Sequence, residues 1–349
     1  MKPRASRRLV INAALSLLVG AICIGFAVHG MDWGAVKAAI RALAPATIGL
    51  YVLTLMVTHL FRAWRWEYLL RALGVSLPFG RLMLISSAGF MAILALPMRL
   101  GELARPFYVS RERGARVSTL VGAVAVERIV DGLLISILFF GGYLASSGHV
   151  FSRQLAIAAW LSLGGFVTLA AFLYAAHLWT DRTIAITLRV TLLSRLAPHK
   201  AHKVDDKLRA LISGFRALGD RRNFSIFLIQ SIAYWGMNGF GMYLLAQRME
   251  LPISFASANV VMAFTGVVLT LPNSPGLVGQ FHAAIKAGLL AYLPAAIVNT
   301  RGIAYAIVLH GVQAIWYVGV GLISMVALSR TGAHARLRDA VRQSATEGE

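Results

Sequence analysis

Three ionisable residues lie close together inside a long apolar run of this sequence. Glu127, Arg128 and Asp131 belong to the segment VERIVDG, near the middle of the run at 118–144. Glu127 and Asp131 share a helical face because they are four residues apart, and Arg128 precedes Asp131 by three residues. If the run crosses a membrane, unpaired charges there would be costly, so these residues mark a candidate binding site. The alternative is a structural ion network that holds this helix to its neighbours.

A second charged cluster follows a short apolar run at 82–96. The segment PMRLGELARP contains Arg99, Glu102 and Arg105, and the last two can pair on one helical face. We predict that this segment forms the tip of a re-entrant hairpin, whose backbone must be buried in protein or line a wet cavity. A cytoplasmic loop with an ordinary ion pair is the alternative.

A third segment interrupts the apolar run at 255–293. Pro272 and Pro275 break the helix, and Gly276 and Gly279 allow a positive φ or a close backbone approach. The helix that follows would present its N-terminal amides and its positive dipole end toward the break. That arrangement suits an anionic group such as a phosphate.

Two further pairs of basic residues are candidates for contact with an anionic headgroup. His282 and Lys286 are four residues apart on the helix after the break. The alternatives are a hydrogen-bonded core histidine and a lysine that reaches the outer interface. Arg62 and Arg65 lie among tryptophans at the end of an apolar run at 45–61. For these two, membrane anchoring by an aromatic and basic belt is the favoured interpretation.

A polytopic helical membrane protein would position these residues. The chain of 349 residues is 58% hydrophobic, with a mean hydropathy of +0.70, and its longest apolar runs are long enough to cross a bilayer. We predict an all-α fold and a single integral membrane domain over 1–349, with six spanning helices and two oppositely oriented re-entrant hairpins. The predicted spans are 9–28, 45–61, 118–144, 154–176, 223–247 and 302–328.

The net charge of +20 is explained by membrane orientation rather than by nucleic-acid binding. Of the 34 Lys and Arg residues, 25 fall on the side of the N-terminal tail and five on the opposite side. By the positive-inside rule, both termini are cytoplasmic, including a tail at 329–349. We therefore expect a multi-pass protein of the inner (plasma) membrane.

The two broken segments are related in sequence. LALPMRLG at 94–101 and LTLPNSPG at 269–276 both read Leu-x-Leu-Pro, with a glycine four residues after the proline. Under the predicted topology the two halves have opposite orientations, which indicates inverted pseudo-repeats at 9–145 and 154–328. Chance similarity between leucine-rich segments is the alternative.

Four motifs, in this order, resemble the flippase-like family that includes the transmembrane region of lysylphosphatidylglycerol synthase. They are RAWRWEYLL (62–70), RLGELARPFYVSR (99–111), VERIVDG (126–132) and PNSPGLVGQFHAA (272–284). The resemblance implies binding or translocation of lipids with phosphate-containing headgroups, such as phospholipids or polyprenyl-linked sugars. The soluble aminoacyl-transferase domain of the full synthase is absent from this sequence, so lysyl transfer is not implied. His282 stands where a glutamate often follows the family's Pro-Gly-Gly-x-Gly, which makes the site less negative.

The leading hypothesis is a lipid translocase in which cations hold a headgroup phosphate and the acidic residues pair with those cations when the site is empty. The candidate phosphate ligands are Arg99, Arg105, Arg128 and Lys286, and the acidic residues are Glu102, Glu127 and Asp131. An integral membrane enzyme with Glu127 or Asp131 as general base is one alternative, and a non-catalytic partner in envelope biogenesis is another. The sequence has no familiar enzyme motif, which favours a transporter. We expect membrane lipids as partners, with a homodimer left open, and no cofactor, metal or nucleic acid.

Overall fold

The regular elements of the chain are helical throughout the part that the structure describes. The structure is a computed structural model that describes residues 18, 20–96, 101–145, 153–190, 198–270 and 274–346. The predicted all-α class is confirmed. The helices are α1 (20–28), α2 (Trp33–Arg41), α3 (Pro45–Ala72), α4 (Phe79–Ala95), α5 (Ala104–Arg113), α6 (Val117–Ala145), α7 (Arg153–Leu178), α8 (Thr180–Val190), α9 (Pro198–Ser213), α10 (Arg221–Arg248), α11 (Phe255–Val268), α12 (Gln280–Leu289) and α13, which begins at Ala295, includes a π-helical turn at Val298–Gly302 and continues through Ile303–Thr346.

Three helices in the described part of the chain are long and apolar enough to cross a bilayer. They are Pro45–Ala72, Arg153–Leu178 and Ala295–Arg330. α6 and α10 occupy two more of the predicted runs and have 29 and 28 residues, but charged and polar side chains interrupt their apolar surfaces. α3 continues well past its predicted end at residue 61. Most of the first predicted span, 9–28, lies outside the described residues.

α3 and α10 pack together along their length and run antiparallel. Gly241 of α10 lies against Thr54 in the first half of α3, whereas Ser231 accepts a hydrogen bond from Arg65 in the second half. One apolar core lies beside the first half of α3 and includes residues of α11, α12 and α13. The other lies beside its second half and includes residues of α4, α5 and α6. The pair α3–α10 therefore connects the two cores.

α4 and α5 form a first helix pair that corresponds to the first broken segment. The chain returns along α4 so closely that a Cβ on Gly101 would lie 2.0 Å from the carbonyl carbon of Ala92. Only glycine permits this approach of two backbones. The first part of the predicted tip, residues 97–100 with Arg99, lies outside the described residues, whereas Glu102 and Arg105 lie within them.

α11 and α12 form a second helix pair that corresponds to the second broken segment. A turn with positive φ at Gly276 and Gly279 joins them. A Cβ on Gly279 would lie 2.5 Å from the carbonyl oxygen of Gly20, so this turn also packs directly against α1. The second pair is thereby attached to the first helix of the chain, although Pro272 lies outside the described residues.

A polar helical segment follows α7 and leads to the start of α10. Asp220 caps α10 by accepting hydrogen bonds from the backbone N–H of Asn223 at 3.1 Å and from its side-chain amide at 2.7 Å. These hydrogen bonds lower the pKa of the Asp220 carboxyl group. The cap fixes where α10 begins and hence which of its residues face α3.

Replacing Gly101 by alanine should weaken the first helix pair. The added Cβ would overlap the backbone of Ala92, and overpacking of this kind typically costs about 1–3 kcal/mol. Gly49→Ala in α3 is the matched control, because a Cβ there meets no atom within 4 Å and alanine is the better helix former. Thermal unfolding in detergent should give a lower Tm for G101A only. Equal Tm values for the two variants would contradict the close approach.

Candidate functional site

Arg65 lies at the centre of a buried charge network between α3 and α6. Its side chain has no exposed surface. Its two terminal nitrogens bind both oxygens of Asp131, one of them at 2.8 Å, and Nη2 also donates to Glu127 Oε1 at 3.0 Å. The anchoring interpretation of Arg65 is therefore wrong, because α3 extends to Ala72 and carries this residue into the protein. Trp64, which is 41% exposed, faces outward as an interfacial residue would.

Glu127 is fully buried and receives hydrogen bonds from three arginines. Arg65 donates at 3.0 Å, Arg105 at 2.8 Å and Arg128 at 2.7 Å. Arg105, also fully buried, lies over the ring of Trp66 with its guanidinium carbon 4.6 Å from the ring centroid. The predicted pairing of Arg105 with Glu102 is replaced by this ion pair, because Glu127 offers a desolvated partner across the α5–α6 interface.

Asp131 extends the network to α10. Besides Arg65, it accepts from Arg128 at 3.1 Å and from the indole Nε1 of Trp235 at 3.0 Å. The predicted proximity of Arg128 to Asp131 on α6 is present. Both carboxylates of the VERIVDG segment are thus fully engaged, and the network joins α3, α5, α6 and α10.

The described residues around this network carry more positive than negative charge. Four arginines contribute to it, and three acidic residues balance them in part. The arginines are Arg62, Arg65, Arg105 and Arg128, and the acids are Glu102, Glu127 and Asp131. In surroundings of low dielectric constant, one excess positive charge attracts an anion strongly. The described part of the cluster therefore favours an anionic ligand.

A cavity of about 400 Å³ lies beside the network. Both helix pairs contribute to its wall, the first through Phe90 and Glu102 and the second through Thr265 and Phe281. Arg128, whose side chain is 24% exposed, reaches the cavity. Most of the remaining lining is apolar. The cavity thus combines a charged wall with apolar surface, as ligand sites usually do.

Arg62 lines the same cavity rather than the membrane interface. Its guanidinium carbon lies 3.9 Å from the centroid of the Phe90 ring and 5.6 Å from that of Tyr317. No ion pair of Arg62 is present among the described residues. The anchoring interpretation is therefore wrong for Arg62 as well, and its cation is held by aromatic faces instead of a carboxylate.

The turn of the second helix pair contacts His310, which the sequence analysis did not select as a candidate. His310 Nε2 donates to the carbonyl oxygen of Gly276 at 2.8 Å, and its ring stacks on Phe281. His282 packs edge-on against His310, with ring centroids 4.9 Å apart. His282 does not line the cavity and is half-buried against Phe281 and His310, so the structure does not place it among the headgroup contacts. The backbone turns at Pro275, Gly276 and Gly279 serve mainly to place Leu277 and Phe281 on the cavity wall.

Lys286 caps a helix and does not contact the cavity. Its Nζ donates to the carbonyl oxygens of Phe26 at 3.1 Å, Ala27 at 3.3 Å and His29 at 2.6 Å, and the residue is 4% exposed. A cation at the C-terminal end of a helix is stabilised by unpaired carbonyls and by the helix dipole. Both sequence interpretations, headgroup ligand and interfacial lysine, are corrected by this contact with α1.

Several cavity residues escaped the sequence analysis because each is a single polar or aromatic residue in an apolar run. They are Tyr234, Trp235, Asn238, Gln313 and Tyr317. Tyr234, Trp235 and Asn238 occur within five residues of α10, at positions i, i+1 and i+4. That spacing on a membrane helix is a usable signal, since polar side chains there tend to face the protein interior.

Residues 13–321 match the family described as the lysylphosphatidylglycerol synthase TM region. The chain belongs to this family. The resemblance read from the four motifs is thereby confirmed, and the family together with the apolar helices identifies a membrane protein. The chain is also 26% identical, over 376 residues, to the glycosyltransferase AglD of Haloferax volcanii. That match covers 99% of this chain but 58% of the length of AglD.

Replacing Arg65 by glutamine should destabilise this family member strongly. The change leaves Asp131 without its two-point partner, and breaking a buried ion pair from one side costs on the order of 3–5 kcal/mol. The control is Arg71→Gln on the same helix, since Arg71 is 50% exposed and pairs with Glu67 at the surface, where such pairs contribute about 0–1 kcal/mol. Thermal unfolding in detergent should separate the variants clearly. A similar Tm for R65Q and R71Q would contradict the buried network.

Replacing Lys286 by methionine should loosen α1 without changing the cavity, which Lys286 does not line. The three carbonyl oxygens at the end of α1 would lose their donor, so amides at 20–28 should exchange with solvent several-fold faster in a deuterium-exchange experiment. Lys37→Met, at an exposed position of α2, provides the control. Unchanged exchange at 20–28 in K286M would show that the cap does not hold this helix.

Proposed function

We propose that this protein is a lipid translocase of the inner membrane that binds a phosphate-bearing lipid headgroup in the cavity between its two helix pairs. The observation that carries the proposal is the excess of one guanidinium over the carboxylates beside that cavity, among the described residues. A phosphodiester carries one negative charge and would balance this excess. Guanidinium groups also bind phosphate oxygens with favourable geometry.

Unused hydrogen-bond donors support an oxyanion at this site. The Nε atoms of Arg62 and Arg128 are buried without a partner in the described part of the chain, and both residues line the cavity. Buried donors destabilise a protein unless an acceptor meets them. Phosphate oxygens are acceptors of the right kind, and they bring the negative charge that the network lacks.

The apolar part of the lining supports a lipid rather than a free phosphate. Leu55, Ile93, Leu94, Met242 and Met262 border the same space as the arginines. A headgroup could rest against the charged wall while the first carbons of its acyl or prenyl chain contact these side chains.

The arrangement of the two helix pairs favours the predicted inverted topology. Each pair consists of one apolar helix that is short for a bilayer, Phe79–Ala95 or Phe255–Val268, followed by a helix of ten residues. Both pairs reach the same cavity. Six spans, two re-entrant pairs entering from opposite sides and cytoplasmic termini would give that cavity access to both leaflets in turn.

The contacts of the carboxylates argue against the enzymatic alternative. A general base needs a free carboxylate within reach of the substrate. Glu127 is surrounded by three guanidinium groups, and Asp131 is bound by Arg65, Arg128 and Trp235. Asp131 lines the cavity, but both carboxylates are already engaged by protein donors, so neither is free to take a proton from a lipid headgroup.

Replacing Arg62 by glutamine should slow lipid translocation without unfolding the protein. No ion pair is lost among the described residues, whereas one cavity cation and its donors are removed. Loss of a hydrogen bond to a charged group corresponds to about a tenfold or greater reduction in rate. The readout is dithionite quenching of a tail-labelled fluorescent phosphatidylglycerol in proteoliposomes.

The matched control is Arg209→Gln, because Arg209 is half exposed and pairs with Asp181 and Asp205 outside the cavity. It should retain the wild-type rate. Wild-type protein that moves neither phosphatidylglycerol nor a labelled phosphoprenol faster than empty liposomes would overturn the proposal.

A further inference from the structure

We infer that the cavity selects a neutral, hydroxyl-bearing headgroup on a single phosphate, such as a glycerol or monosaccharide phosphodiester, over a cationic aminoacyl headgroup. This inference rests on the proposed function and deepens it, because it names the headgroup class that the same site would take. Two observations support it. The carboxylates and most aromatic rings around the cavity already contact the protein's own groups, and uncharged polar groups remain available to a ligand.

A cationic headgroup would find no carboxylate to pair with in the described part of the cavity. Asp131 already accepts from two arginines and one indole, and Glu127 accepts from three arginines. Glu102 is close enough to Arg128 to interact with its charge. An entering ammonium group would have to displace a guanidinium, and it would add positive charge to a cluster that already has an excess.

The aromatic rings around the cavity are mostly engaged by the protein's own groups. Arg62 lies over the rings of Phe90 and Tyr317, and Arg65 lies 4.5 Å from the ring centroid of Tyr234. The face of Phe281 is stacked by His310. One side of each of these rings is therefore already covered by a protein group, and the indole of Trp235 is the main aromatic surface left for a ligand.

Uncharged polar groups remain for a hydroxylated headgroup. Asn238 lines the cavity, and its amide has no hydrogen-bond partner among the described residues. Gln313 donates from Nε2 to the hydroxyl of Tyr51 at 2.8 Å, which orients its side chain and leaves the carbonyl oxygen for another donor. An amide offers both a donor and an acceptor, and hydroxyl groups need both.

The indole of Trp235 supplies a fixed apolar surface beside these amides. Its Nε1 is bound to Asp131 at 3.0 Å, so the ring is held in place while it lines the cavity. The cavity volume of about 400 Å³ lies near the lower end of the usual range for small-ligand sites. These features fit one sugar or glycerol unit with its phosphate rather than a long oligosaccharide.

The test compares phosphatidylglycerol with lysyl-phosphatidylglycerol, which have the same phosphate and chains but differ by a cationic lysyl ester. A glucosyl phosphoprenol is the third probe. Binding to the purified protein is measured by competition in native mass spectrometry, and translocation is measured separately in proteoliposomes. We expect both uncharged hydroxylated headgroups to bind about tenfold or more tightly than the lysyl form, because buried polar groups of a site discriminate on this scale.

Two substitutions at one position make the test specific. Asn238→Leu should weaken binding of phosphatidylglycerol and of the glucosyl lipid by about tenfold, whereas Ser225→Leu, at an exposed position near the start of the same helix and outside the cavity lining, should not. Asn238→Asp adds a free carboxylate and should shift the preference toward lysyl-phosphatidylglycerol. Rescue of this kind would not follow if Asn238 were only structural.

The outcomes separate the two proposals. Equal or tighter binding of lysyl-phosphatidylglycerol by the wild-type protein would overturn the headgroup inference, even if that lipid is translocated. The expected binding preference without translocation would overturn the translocase proposal alone. Failure of all three lipids to bind would overturn both.

Discussion

Burial of the Glu127 carboxylate is the constraint on which the arrangement of this site depends. A carboxylate without exposed surface destabilises the protein by several kcal/mol unless cations and hydrogen bonds compensate for lost water. Here the compensation comes from Arg65 on α3, Arg105 on α5 and Arg128 on α6. Since the three cations belong to three elements, the positions of those elements are fixed together. Gly89 of α4 makes room for one of these cations, because a Cβ at this position would lie 2.4 Å from Cγ of Arg105.

The arginines divide into two groups with different consequences. Arg65 and Arg105 are fully buried and bound to carboxylates, so they set the electrostatic field without reaching the cavity. Arg62 and Arg128, in contrast, line the cavity. A ligand in the cavity would contact Arg62 and Arg128, while Arg65 and Arg105 keep the surrounding charges in place. Such a site is preorganised, which lowers the cost of ordering it when an anion binds.

Local patterns in the sequence predicted the helices and the charged face of α6, but not the partners of those charges. Spacing along one helix correctly placed Arg128 beside Asp131. It failed for Glu102 and Arg105, because Glu102 lies in the turn before α5 and the buried Glu127 on a neighbouring helix binds Arg105 instead. Arg65 was named as a candidate, but its place in the buried network was not predicted. An apolar run that ends in Arg-x-x-Arg with tryptophans has the same composition whether the helix stops at the interface or continues into a packed interior. The partners of Lys286 were not predicted, because the carbonyls at the end of α1 lie more than 250 residues away in the chain and have no side-chain signature.

The two helix pairs are attached to the rest of the protein by different chemistry, and this difference bears on how a translocation cycle could proceed. The first pair is held by an ion pair, Arg105 to Glu127, inside a network that an incoming phosphate would enter through Arg128. The second pair is held by the Lys286 cap and by the contact of Gly279 with α1, which involve backbone oxygens and no carboxylate. A phosphate that binds Arg128 would weaken the ion pairs of Arg128 with Glu127 and Asp131. Arg65 and Arg105 would then be the remaining described arginines that bind these carboxylates. The hydrogen bonds of Lys286 go to backbone carbonyls, so a phosphate on Arg128 would not compete with them. Under the proposed function, headgroup binding therefore acts directly on the contacts that hold the first pair, and not on those that hold the second pair to α1.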